Sequence, residues 1–194
     1  MSRIKVTAVS ANAGHPSRTL SLTQRILASV GELVSIEPQL IELSRVGPLI
    51  GQSSNRHDLP ADAEHALTLV ESADLLIAVT PVYRGSYTGL FKHLFDLVDQ
   101  NALIDVPVIL AATGGSDRHC LVLEHQLRPL FGFFRAYTVP IPIYATDKDF
   151  RDGQVSSRPV LERIAIAARQ AAALARPRVR DAATGAAQAL TASI

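Results

Sequence analysis

Short apolar runs alternate along this chain with longer stretches in which apolar residues recur every three or four positions. Ile4–Val9, Leu75–Val79 and Val106–Ala112 are the clearest runs. Ile4–Val9 alternates lightly before it turns apolar and predicts a central parallel strand, while the apolar character of the other two predicts strands buried on both faces. Leu33–Leu43 alternates and predicts another strand. Ala136–Tyr144 predicts a fifth, which Pro140 and Pro142 confine to a sheet edge. Helical spacing appears between these runs. It predicts helices from Leu20 to about Val30 and over Asp62–Ser72, where Ala66, Leu69 and Val70 point inward. A third helix follows Ser86, which is expected to cap it. Leu90, Leu94 and Leu97 share one of its faces, with Phe91, Phe95 and Val98 beside them. A fourth runs from Asp117 to Phe134 on a stripe of Cys120, Leu123, Leu127, Leu130 and Phe134, where Cys120 reads as a small core residue. A fifth covers Ser156–Ala175 and buries Val160, Ile164 and Ala167 or Ala168. Ser44–Pro60 reads as a polar loop long enough to be a lid or an interface arm. Residues 176–194 are rich in Ala and Arg without a pattern, and read as a flexible tail or an arm onto a neighbouring subunit.

Strands alternating with helices predict a three-layer α/β sandwich around a parallel sheet. With five strands, the best topology is the flavodoxin-like order 2-1-3-4-5, in a single domain over residues 1–175. That order places its switch point between the first and third strands. The loops after strands one, three and four then converge at the C-terminal rim of the sheet, where open α/β sheets bind ligands.

Those three loops carry the candidate chemistry. Ser10–Thr19, SANAGHPSRT, joins the first strand to the first helix, a position suited to a phosphate. Ser10, Ser17 and Thr19 add hydroxyl donors and Arg18 a forked cation. An ordinary helix cap with an exposed arginine would look the same. Thr80–Tyr87 sets Tyr83 and Tyr87 at the end of the third strand. Thr113-Gly114-Gly115-Ser116 closes the fourth, and its glycines let backbone amides approach a flat ligand. Hydroxyls at one end and aromatic, backbone-lined walls at the other suit a phosphorylated planar ring, and FMN fits. The loop is neither GxGxxG nor GxxxxGK[ST], so the common dinucleotide fingerprint and the P-loop are both absent.

Composition removes other classes. A chain of 194 residues with 47% hydrophobic and 19% charged residues is globular. A net charge of +1 suggests no nucleic-acid partner. No apolar run approaches the roughly 20 residues of a membrane span, and the chain enters its first strand with no secretory signal, so a cytoplasmic protein is expected. One cysteine gives no disulfide framework or cysteine-rich metal site. A receiver domain would need carboxylates at the ends of strands one and three, where this chain has Ser10 and Thr80-Pro81. A hydrolase would need a nucleophile with a base in reach, and GxSxG is missing.

Pro129 falls inside the predicted fourth helix. It removes the amide that would bond the carbonyl of His125, so the helix is expected to kink there or to form a π-bulge. A plain proline kink without functional use is the simpler alternative.

Three segments resemble one family. TPVYRGSYTGLFKHLFD, SANAGHPSRTLSL and ATGGSDRHCLVLEHQLRPLF are similar to the flavin loop, the SxRxxSxSxxL phosphate loop and the Gly-Gly turn of the NADPH-dependent FMN reductases. The resemblance extends from Lys5 to about Ala173. It is nearest to the reductases of two-component alkanesulfonate monooxygenases, and among them the methanesulfonate-linked type. It implies that Ser10, Ser17, Arg18, Thr19 and Leu20 hold the FMN phosphate end, and that Pro81, Val82, Tyr83 and Ser86 line the ring. It also implies that Thr113, Gly114, Gly115 and Ser116 meet the pyrimidine edge. Further implications are NAD(P)H as the second cofactor, hydride transfer without an acid–base side chain, a homodimer or homotetramer, and an FMN-dependent monooxygenase that receives reduced flavin. In the alkanesulfonate-linked type a tyrosine stands at the position of His125 and forms a π-helix at a tetramer interface; the methanesulfonate-linked type has His there. His125 is thereby implicated in assembly and flavin release. Two other readings remain open: a quinone or azo-dye reductase that retains FMN, and a flavodoxin-like electron carrier. Carriers are usually strongly acidic for docking, which this chain is not.

Overall fold

The computed structural model describes residues 3–177. The expected tail therefore lies, from residue 178 onward, outside the described residues. The central sheet contains β1 (Ile4–Ser10), β2 (Ile36–Glu42), β3 (Leu75–Pro81), β4 (Pro107–Gly114), β5 (Tyr137–Thr138) and β6 (Ile143–Thr146). Its order is β2-β1-β3-β4-β5, and β6 also pairs with β4. Every pairing is parallel. This is the flavodoxin-like topology the alternation predicted. β3 is buried along its whole length, as a strand covered on both faces must be.

Helices cover the two faces. α1 (Arg18–Gly31) and α6 (Arg158–Leu174) pack on one side through Leu22, Ile26, Val30, Ile164 and Ala168. On the other lie α2 (Leu43–Ile50), α3 (Ala61–Glu71), α4 (Gly89–Leu97) and α5 (Arg128–Phe133). Phe91, Phe95, Phe131 and Phe134 build the centre of that second core. Phe95 meets Phe131 edge to face with ring centroids 5.0 Å apart, a favoured aromatic geometry.

Five local expectations are corrected. Ser44–Pro60 is not all loop: α2 occupies its first part and a single 3-10 turn spans Arg56–Asp58. The apolar spacing Leu43, Gly47, Ile50 prevails over Pro48, and all three are buried. Arg56 then fastens the rest by pairing with Glu64 and Glu71 of α3. Strand two begins at Ile36, later than expected. Thr88, not Ser86, caps α4: its hydroxyl accepts from Phe91 N at 3.3 Å. The expected fifth strand is two short ones, because Pro140 and Pro142 interrupt the ladder between β5 and β6. Cys120 is exposed rather than in the core. It sits beyond a 3-10 turn (Asp117–His119), before the chain becomes helical at Leu123.

The segment before α5 is a π-helical turn over Leu123–Leu127. Its wide winding follows from Pro129, which has no amide to give the carbonyl of His125. Arg128 secures the turn. It bonds both oxygens of Glu124, at 2.6 and 2.9 Å, and reaches Thr138 Oγ1 of β5 at 2.8 Å. This pairing lowers the Glu124 carboxyl and raises the guanidinium.

A small hairpin, β7 (Phe150–Arg151) and β8 (Gln154–Val155), follows β6. Asp152 and Gly153 turn it with positive φ. Among the described residues, no helix is long and apolar enough to cross a membrane.

Candidate flavin site

Parallel register fixes which loops meet. Ser10 pairs with Val79, Pro81 with Thr113 and Gly114 with Thr146. The segments leaving β1, β3, β4 and β6 therefore emerge side by side on one rim. They enclose a cleft of about 1070 Å³, ample for a mononucleotide of drug-like size.

The loops are tied to one another by buried hydrogen bonds. Thr19 Oγ1 and Thr113 Oγ1 lie 2.7 Å apart, joining the first turn of α1 to the end of β4. Val82 N donates to Thr113 O at 2.7 Å, and Ala11 N to Val79 O at 2.9 Å. At the tip of the β3 loop, Tyr83 and Ser86 exchange backbone bonds of 2.9 and 3.2 Å. Arg84 and Gly85 between them both have positive φ, the pattern of a tight two-residue hairpin turn. Tyr83 is thus presented at the cleft wall with 53% of its surface exposed.

Ser17 begins α1. Its hydroxyl accepts from Leu20 N at 3.1 Å, and its carbonyl from Ser21 N at 3.1 Å. The first bond satisfies one of the four amides that a helix leaves open at its start, the second is the first regular bond of the helix, and the first-turn amides of Arg18 and Thr19 are left for other partners. Arg18 leans across the mouth of the cleft to Asp147, 3.0 Å away. His15 Nε2 lies 3.0 Å from Glu42 Oε2 without hydrogen-bond alignment.

Gly114 permits a close approach. A Cβ there would lie 2.1 Å from the hydroxyl of Tyr144. That hydroxyl donates to Ser116 O at 2.7 Å and so fixes the Gly-Gly turn. Burial, then the nearby Cys120 and Asp117, push the Tyr144 phenol up from its ordinary value.

Of the residues singled out in the sequence, the cleft is lined by Ser17, Arg18, Thr19, Leu20, Pro81, Val82, Tyr83, Thr113, Gly114 and Gly115. Ser10, Ser86 and Ser116 are not on its lining. Ser10 is fully buried, and its hydroxyl has no hydrogen-bond partner among the described residues. Ser86 turns its hydroxyl to Gln126 Oε1, 3.3 Å away on the π-helical turn. Ser116 caps its own 3-10 turn by accepting from Arg118 N. His125 lies elsewhere, in a second hollow of about 580 Å³ with Tyr87, Pro129 and Phe133.

Sequence reasoning missed Asn12, Ser21, Gln24, Asp147, Asp152 and Gln154, which also line the cleft. The Asp152-Gly153 turn was a readable signal for part of this group. Ser21 Oγ and Asn12 Oδ1 are buried and have no hydrogen-bond partner among the described residues. Buried polar atoms are normally paired. A hydroxyl donor and an amide acceptor on the lining suit the phosphate and ribityl oxygens of a flavin mononucleotide, so the residues present fit that group.

Fold and cleft together define a class: a flavodoxin-like α/β protein with a mononucleotide cleft at the switch point of its sheet. The sequence matches the family described as NADPH-dependent FMN reductase over residues 4–151, and the chain belongs to that family. It is 57% identical over 175 residues to the NADH-dependent FMN reductase SfnF of Pseudomonas fluorescens, covering 90% of this chain and 94% of that protein. It is 53% identical over 173 residues to an FMN reductase (NADPH) of Pseudomonas aeruginosa, covering 89% and 93%. Among solved structures, the apo form of the NADH:FMN oxidoreductase EMOB superposes with a TM-score of 0.81 at 27% identity, covering 90% of this chain and 91% of that one. An oxidoreductase from Corynebacterium diphtheriae gives 0.78 at 34% identity, covering 92% and 100%. The chain is an oxidoreductase whose cofactors are FMN and a nicotinamide nucleotide, as the sequence resemblance implied.

Proposed function

We propose that the chain uses FMN as a substrate, reduces it with NAD(P)H, and releases the product to a separate FMN-dependent monooxygenase of a sulfonate-degrading system. The observation that carries this reading is the meeting of three separate loops around one cleft on the sheet rim. When bound, FMN would supply the redox chemistry, as the acceptor of a hydride from NAD(P)H, and the protein's own side chains would bind and orient it.

The protein binds, orients and shields. Arg18, Ser17, Thr19 and the open amides of the first turn of α1 hold the phosphate, aided by the helix dipole. Ser21, whose buried hydroxyl is unpaired on the cleft lining, is a further donor beside Ser10. Leu20, Pro81 and Val82 supply apolar walls. Tyr83 covers the ring on the solvent side. Backbone amides at Gly114 and Gly115, in a turn held by Tyr144, face the pyrimidine edge, where fixed donors stabilise growing negative charge. No side chain acts as acid or base.

The exposed Phe133 and the hollow beside His125 support a homodimer or homotetramer assembled on this face, with the π-helical turn at the contact. Through the Ser86–Gln126 bond, that turn is coupled to the loop carrying Tyr83. This gives His125 a route to flavin release. Function in the cytoplasm belongs to the same proposal.

The test is steady-state kinetics on protein freed of flavin. NAD(P)H oxidation is expected to saturate with added FMN. A rate independent of added FMN, with quinones as the efficient acceptors, would instead identify a reductase that retains its flavin.

A further inference from the structure

We propose that Asp147 competes with the FMN phosphate for Arg18 and thereby keeps flavin binding weak enough for exchange. The inference rests on the reading above that Arg18 holds the phosphate.

Its basis is the charge arrangement at the cleft mouth. Arg18 is the one arginine or lysine lining the cleft among the described residues, and Asp147 and Asp152 line the same space. A phosphate dianion entering the cleft finds a single cation, already 3.0 Å from a carboxylate. The two partners differ in freedom. Arg18 is a long, half-exposed side chain that can swing between two anions. Asp147 sits on a fixed turn. It follows directly on Thr146, whose backbone amide and hydroxyl both donate to Asp149 Oδ2, at 2.7 and 2.9 Å. Thr146 in turn is registered against Gly114 of β4. The next residue, Lys148, is fastened to Asp117. The backbone that carries this short side chain is therefore held beside the phosphate end by the sheet itself. The carboxylate draws Arg18 away and repels the dianion.

Both side chains are more than half exposed, so water screens the pair and its effect is modest. A modest effect suits an enzyme that must let its flavin go.

The experiment measures dissociation constants of FMN and riboflavin by fluorescence quenching, for the wild type, Asp147→Asn, Asp147→Ala, Arg18→Gln and the Arg18→Gln/Asp147→Asn double variant. Thermal unfolding checks that each is folded. Asp147→Asn is expected to tighten FMN about fivefold, the upper range for an exposed ion pair, and to leave riboflavin unchanged because it has no phosphate. Asp147→Ala is expected to act in the same direction. In the Arg18→Gln background the gain should shrink, since the contested cation is gone. The inference is overturned if the Asp147 variants bind FMN no tighter than wild type, or tighten riboflavin equally. If Arg18→Gln weakens FMN while the Asp147 variants change nothing, Arg18 holds the phosphate and only the competition is wrong. If Arg18→Gln leaves FMN unaffected, the phosphate reading beneath it fails as well.

Discussion

Replacing Gly114 by alanine tests whether the Gly-Gly turn is built around Tyr144. The added Cβ would sit 2.1 Å from the Tyr144 hydroxyl and 3.1 Å from Cζ. Neither side can yield freely. Gly114 is the last residue of β4, registered against Thr146, while Tyr144 belongs to the neighbouring β6 and its hydroxyl is bonded to Ser116 O at 2.7 Å. The ring must swing away and give up that bond. A lost hydrogen bond costs about 1 kcal/mol, and forcing extra volume into a packed site costs about 1–3 kcal/mol. The expected destabilisation is therefore about 2–4 kcal/mol. For a domain of this size that lowers the melting temperature by roughly 5–15 °C. Tyr144→Phe removes the atom in worst collision, so the cost of Gly114→Ala should be about 1–2 kcal/mol smaller when the two substitutions are combined. Thermal and urea unfolding of the four proteins in this cycle give the coupling directly. Additive effects, or a Gly114→Ala protein as stable as wild type, would show that the turn does not depend on Tyr144.

Other consequences follow from the same contacts. Thr19→Val leaves the buried Thr113 hydroxyl without its 2.7 Å partner; it should cost about 1–3 kcal/mol, and a Thr19→Val/Thr113→Val protein should recover part of that in urea unfolding. Arg56→Met takes the guanidinium away from the mostly buried Glu71 carboxylate; it should destabilise by about 1–3 kcal/mol, whereas Arg25→Met, at a surface pair with Glu32, should change stability by less than about 1 kcal/mol. Asp149 should show in the acid limb of the pH–stability curve. Burial works against its charge, but the Thr146 amide and the Ser157 and Thr146 hydroxyls prevail and hold its carboxyl below the ordinary value. Its stabilisation is thus complete above roughly pH 4, the unfolded carboxylate range, and is lost as pH falls through the lower folded value. Asp149→Asn should flatten the curve in that window alone, as followed by circular dichroism. His125→Ala should alter the oligomeric state and raise the flavin content of the purified protein, both read by native mass spectrometry; no change in either would detach the π-helical turn from assembly and release.

The sheet was legible because β3 and β4 are buried on both faces and read as apolar runs, and because β1 turns apolar and buried after Lys5. Three of the loops that form the cleft follow from that order alone. Local chemistry was harder to read. α2 was hidden by Gly47 and Pro48, although Leu43 and Ile50, a heptad apart, carried the helical signal. Ser86 and Thr88 are both good caps two residues apart, and the choice between them is set by the Arg84-Gly85 turn, which uses Ser86 in its own backbone pairing. Ser10 sits at the expected strand end but is fully buried and off the cleft lining, and periodicity does not fix which side of a doubly covered strand a residue faces. Asp147 and Asp152 reach the cleft only because β6 adds to β4 past two prolines. The pairing is a tertiary event with no local signature. The disturbance near His125 was readable, since a missing amide at Pro129 has only a few structural outcomes.

That one rim of the sheet binds FMN, reduces it and lets it go is tested most directly by anaerobic ultrafiltration. Flavin-free protein is mixed with excess NAD(P)H and a several-fold excess of FMN, and the flavin passing the membrane is measured. Reduced flavin in the filtrate, in many-fold excess over protein, is the expected result. One flavin retained per chain, with the remainder passing through still oxidised, would mean that the protein keeps its flavin and supplies none to a partner.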